Sequence, residues 1–145
     1  MPQYCVLFGH WDAPDSILPQ LEKAVALHYR KYRVREFVVG RRGNFDALAV
    51  RAVRTLQKQH PRVGIARLLP RHPSLYKSKL DKMGKTFYPE ELKYAPKRIA
   101  FVLVTQKAID TATSVICHVN RSGAAQELME YAQKVTGYER VENIP

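Results

Sequence analysis

Apolar residues along this chain come in two alternating patterns: short unbroken runs, and longer stretches in which they recur every three to four positions. Residues 3–8, QYCVLF, form the first run and close at Gly9. A loop, HWDAPDS, leads into 17–32, where Ile17, Leu18, Leu21, Val25 and Tyr29 line one helical face. Asp15 or Ser16 is the expected cap, and Pro19 falls in the first turn, where proline is tolerated. The unit then repeats. VREFVVG reads as a second strand, RRGN as a loop with Asn44 as the expected cap, FDALAVRAVRTLQKQ as a helix ending before Pro61, and RVGIARLLP as a third strand.

From 71 to 97 no period is sustained beyond a short helical turn at PEELKY. An unpatterned segment of that length inside a compact domain is expected to be a lid or a binding loop. The next apolar stretch, IAFVLVT, would pass for a strand by itself. Phe101, Val104, Ala108 and Ile109 also keep helical spacing, and a strand follows at 113–119, so a helix is expected. The loop NRSGA, a helix from Ala124 to Val135, a stop at Gly137 and a terminal strand in YERVENIP complete the pattern. Strands alternating with amphipathic helices predict an α/β fold, three-layered and Rossmann-like, with a mostly parallel sheet. A length of 145 residues fits one domain, 1–145.

Composition adds three constraints. A hydrophobic content of 46% excludes a disordered chain, and no apolar run approaches the roughly 18 residues of a membrane span. The N-terminus lacks the basic start and long apolar segment of a signal peptide, while Cys5 and Cys117 sit inside apolar runs. Both are expected to be buried thiols in a reducing cytosol, which makes the expected location cytoplasmic. The third constraint is charge: 24 Lys plus Arg against 13 Asp plus Glu gives a formal +11 and favours polyanionic partners. The cations spread over 28–98 with tyrosines and phenylalanines between them, a distribution that suits nucleic acid as well as simple solvation.

The candidate chemistry lies where apolar runs end. In open α/β sheets ligands sit outside the carboxyl ends of the strands. Gly9, Gly40, Gly43 and Gly123 all fall in loops of that kind, and His10, Arg41, Arg42, Arg121 and Ser122 fall beside them. Glycines there let backbone approach an anion, helix starts offer free N–H groups, and arginines pair with phosphate. Asp46 is expected to brace the arginine loop or to meet a ribose hydroxyl. Glu127, in the first turns of the last helix, is the one candidate catalytic acid. The dinucleotide fingerprint G-x-G-x-x-G, the P-loop, the G-x-S-x-G elbow and metal spacings such as H-E-x-x-H are all missing from the sequence. No metal and no resident cofactor are therefore expected, and whether the chain is an enzyme stays open.

Taken in order, CVLFGHWD, FVVGRRGNFDALA, IARLLP and SGAAQELMEYAQKVTGYERVENI resemble the SLOG superfamily of Rossmann-like nucleotide-binding domains, in particular its small stand-alone bacterial members. Gly9 and His10 fit a TGHR-like turn after the first strand. Gly40, Gly43, Phe45, Asp46, Leu48 and Ala49 fit a GGAxGFDxLA-like segment. Gly123, Tyr131, Ala132, Asn143 and Ile144 fit a GGT-like loop with its helix and final NI. The resemblance implies a nucleotide or nucleotide-derived ligand at the loops after residues 8, 39 and 120. Because the superfamily includes LOG-type phosphoribohydrolases, it also implies an alternative activity on nucleoside 5'-monophosphates, with Glu127 at the catalytic glutamate and Arg98 or Arg121 orienting phosphate. Ala124 or Ala125 stands at that family's threonine, Ser122 at a glycine, and TQKAID where an arginine-asparagine pair is usual. A further branch, related to DNA-processing protein A, binds single-stranded DNA, so a nucleic-acid partner is the other alternative. No membrane partner is expected, and the oligomeric state is left open.

Overall fold

Along β1 (Tyr4–Gly9) successive side chains enter two different cores, which is why the run is apolar throughout and shows no alternation. Cys5 and Leu7 pack with Phe37 and Val39 beneath α1 (Leu18–Lys31) and α2 (Gly43–Gln57). Tyr4, Val6 and Phe8 pack on the other face beneath α3 (Lys97–Asp110) and α4 (Ala124–Thr136). The computed structural model that shows this describes residues 3–69, 76, 84–89 and 97–145, with the backbone alone at 97–99.

Among the described residues the other strands are β2 (Glu36–Val39), β3 (Gly64–Leu68), β4 (Lys85–Phe87), β5 (Ser114–His118) and β6 (Val141–Asn143). All pairings are parallel, in the order β4-β3-β2-β1-β5-β6. The architecture is thus the three-layer Rossmann-like α/β fold that the pattern predicts. The chain steps outward from β1 to β4, then returns to lay β5 against the opposite side of β1. The loops after β1 and β5 consequently lead to helices on opposite faces, and a crevice opens between them.

IAFVLVT lies in α3, where Val104, Ala108 and Ile109 are buried and the Thr105 hydroxyl donates to the Phe101 carbonyl at 2.8 Å. Cys5 and Cys117 are buried free thiols, each pushed up to about 12 by desolvation. Among the described residues no helix is long and apolar enough to cross a membrane.

Three local expectations are corrected. Neither Asp15 nor Ser16 caps α1: both belong to a 3₁₀ turn, Asp15–Ile17, that runs directly into the helix, whose N-cap position is Ile17. Asn44 does not cap α2, because the helix begins one residue earlier, at Gly43; its amide instead donates to the Ala13 carbonyl and the Asp15 carboxylate. The segment 71–97 also contains β4, a three-residue edge strand recognisable only through its pairing with β3. The expected turn at PEELKY and most of the expected lid lie outside the described residues.

Candidate functional site

At the carboxyl edge of the sheet the loops after β1, β2 and β5 enclose a cavity of about 720 Å³, within the usual range for small-molecule sites. Gly9, His10 and Trp11 come from the first loop, Gly40, Arg41 and Arg42 from the second, and Arg121, Ser122 and Gly123 from the third. Leu68, Tyr76, Phe101 and Leu128 supply apolar and aromatic wall. Gly123 sits at the N-cap of α4 with φ of +136°, a conformation few other residues adopt, and with Ala124 and Ala125 it brings the start of that helix, where backbone N–H groups lack helical partners, to the cavity wall.

The second loop is held from below. Asp46, buried in the first turn of α2, accepts the Arg42 backbone N–H on Oδ2 at 3.1 Å and closes the loop on itself. Gly40 has no room for anything larger, since a Cβ there would lie 2.5 Å from that same oxygen. Arg67 reaches across from β3 and donates from Nε and Nη2 to the Gly40 carbonyl, at 3.1 and 2.8 Å. Desolvation pushes the Asp46 carboxyl up to about 6, against the opposing pull of the Arg42 N–H and the Arg67 guanidinium. Desolvation also draws Arg67 down, with Arg41 and Arg54 adding like-charge repulsion. The second loop therefore concentrates positive charge, and the Asp46 carboxylate beneath it is turned inward.

The first and third loops are stapled together. His10 accepts the Asn120 backbone N–H on Nε2 at 3.1 Å, and its own backbone N–H donates to the His118 carbonyl at 3.3 Å. With Nε2 accepting, the ring proton lies on Nδ1, and burial followed by Arg121 and His118 lowers the pKa, so His10 is neutral. Two residues beyond His10 and one beyond Asn120, Arg121 donates to Asp12 at 2.7 Å, which holds the Asp12 carboxyl below its ordinary range. Behind them the Asn143 side chain pairs like a strand with Val119, accepting its N–H at 2.8 Å and donating to its carbonyl at 2.9 Å. Ile144 continues the pairing through its N–H to the Cys117 carbonyl at 2.7 Å.

Nine of the residues singled out in the sequence line this cavity together: Gly9, His10, Gly40, Arg41, Arg42 and Asp46, with Arg121, Ser122 and Gly123. Gly43 stands just behind it with φ of +85°, packed so that a Cβ would lie 2.7 Å from the Trp11 Cα. Glu127 is not brought in. It faces a second groove on the outer side of α4, with Gln106, Glu130 and Lys134. The Arg98 side chain lies outside the described residues. Two residues of the site escaped sequence reasoning. Arg67 sits in a strand and reads there as a solvent-facing charge, and Trp11 reads as an ordinary loop aromatic. Among the described residues no group of His, Cys, Asp and Glu is arranged to hold a metal ion. No family model matches the chain, and no curated protein matches it.

Proposed function

We propose that this chain is a SLOG-type Rossmannoid that binds a small phosphorylated nucleotide in the rim cavity. The observation that carries the reading is the convergence of Arg41, Arg42 and the N-terminus of α4 on one cavity at the switch between β1 and β5. Arg41 and Arg42 are exposed and make no ion pair with another described residue, so their charge is available to an incoming anion. Backbone N–H groups at the start of α4 complement them. Asp46, taken up by the loop it braces, acts in this reading on the shape of the site and leaves the ribose to other groups.

The test is thermal unfolding at one fixed salt concentration with AMP, ADP-ribose, NAD, cyclic dinucleotides and a short single-stranded DNA. A ligand at about 100 times its Kd adds roughly 2.7 kcal/mol, several degrees for a domain of this size. Silence with every small nucleotide would sink the reading. Phosphoribohydrolase activity gains no support from the position of Glu127, whose side chain lines the other groove. A nucleic-acid reading has one observation in its favour: Arg51, Arg54 and Lys58 form an exposed stripe along α2 that leads away from Arg42. Its signature is a steep loss of affinity with salt, several phosphates' worth, where a mononucleotide gives a shallow slope.

A further inference from the structure

We infer that Trp11 is the platform on which the base of the bound nucleotide stacks, an assignment that rests on the reading above and adds the aromatic half of the ligand to it. Trp11 is the chain's single tryptophan, and it lines the rim cavity while remaining 73% exposed. A tryptophan can bury some 150–250 Å² of surface, so leaving one in water forgoes a large contribution unless another surface covers it.

The exposure is not a sign of a loose loop. The residues on either side of Trp11 are each fixed to the third loop, His10 to the Asn120 N–H and Asp12 to Arg121. Its own carbonyl accepts the Asn44 N–H at the start of α2, at 2.6 Å, and its Cα packs against Gly43 so closely that no side chain fits there. The backbone of Trp11 is therefore clamped where all three loops meet, and the indole is the part left free. An aromatic ring carried on a fixed backbone beside a cation-lined cavity is complementary to a flat ring carrying a negative tail. Phe101, also partly exposed, lines the same cavity and gives the ring a second apolar edge. Stacking on indole tolerates every base but rewards overlap, so purines are expected to exceed pyrimidines.

Because Trp11 is the only tryptophan, its fluorescence reports on this site alone. Titration of the full chain with AMP, UMP and ribose 5-phosphate, followed by fluorescence and by calorimetry, is repeated by calorimetry on Trp11→Ala and Trp11→Phe. The exposed indole makes both substitutions compatible with folding. Expected are quenching by AMP, tighter binding of AMP than of UMP, and weakest binding of ribose 5-phosphate. Trp11→Ala should weaken AMP about tenfold or more and leave ribose 5-phosphate within about twofold, with Trp11→Phe recovering most of the loss. Equal affinities for AMP and ribose 5-phosphate, both unchanged in Trp11→Ala, would overturn the stacking assignment while leaving the phosphate site standing. Binding of neither would overturn both. An emission shift that follows protein concentration without nucleotide would put a second copy of the chain on Trp11 and overturn the assignment as well.

Discussion

Two polar clusters at opposite ends of the sheet are each organised around a buried histidine and differ in what they leave unpaired. At the amino end of β5 Ser114, fully buried, donates to His28 Nδ1 at 2.7 Å, while His28 Nε2 donates to Glu142 at 3.0 Å. By residue type and distance this is a Ser-His-Glu relay. Yet the serine has no access to solvent, and both ring nitrogens are already satisfied, so the cluster can only hold α1 to β5 and β6. At the carboxyl end His10 is consumed by backbone instead, but Arg42 and the indole of Trp11 are left around a cavity, with Arg41 set only over the Tyr76 ring. The difference teaches that a site is marked less by which residues meet than by which remain without partners once the fold has taken what it needs.

Substitution at each end should separate the two roles. The largest effect is expected from His28→Ala, which leaves the Ser114 hydroxyl buried without its acceptor and opens a cavity under α1. We expect a loss of about 3 kcal/mol in urea unfolding, with AMP affinity unchanged under conditions where the variant is folded. Next comes the double reversal Arg41→Glu with Arg42→Glu. Both side chains are exposed, so stability should hold within about 0.5 kcal/mol, while AMP affinity falls at least thirtyfold by calorimetry. A double reversal that melts the protein, or a His28 variant that is stable but no longer binds, would erase the distinction between the clusters.

Legibility in the sequence follows the same division. Runs that are buried on both faces, such as Cys5 to Phe8, announce themselves because nothing polar is tolerated within them. The loop glycines at 40 and 43 were visible as breaks after such a run, although the contacts that demand them, the Asp46 carboxylate and the Trp11 backbone, come from elsewhere in the fold. Features that depend on a distant partner were not legible. β4 exists because β3 offers it an edge, Arg67 matters because the Gly40 carbonyl lies within its reach, and Asn44 is spent on the first loop because that loop passes over α2. Glu127 was misleading for a related reason: its distance along the chain from Gly123 suits the site, but its helical phase turns it to the other side of α4.

The smallest predicted effect tests the comparison through pH, because the two ends should respond to acid in opposite senses. Asp46 has its folded pKa raised from 3.8 to about 6, chiefly by desolvation, so the folded state holds that proton more tightly than the unfolded chain does. Its contribution to stability is complete below about 3.8 and is lost as pH rises through about 6. The shift sets a ceiling of about 3 kcal/mol for an ionised Asp46 at neutral pH. In Asp46→Asn the side-chain carbonyl can still accept the Arg42 N–H, whereas attraction to Arg67 is gone, so the net gain should be nearer 1 kcal/mol at pH 8 and should vanish toward pH 4. His28 is shifted downward, again mainly by desolvation, so it contributes above its ordinary pKa of about 6.5 and the contribution is lost as pH falls through the lower folded value. For His28→Gln the deficit relative to the parent chain should therefore shrink on acidification. Urea unfolding of the three proteins from pH 4 to 8 measures both trends. Differences that stay flat with pH would mean that neither group changes its protonation on folding, and the inward-facing carboxylate of the rim would then have to be more hydrated than its contacts indicate.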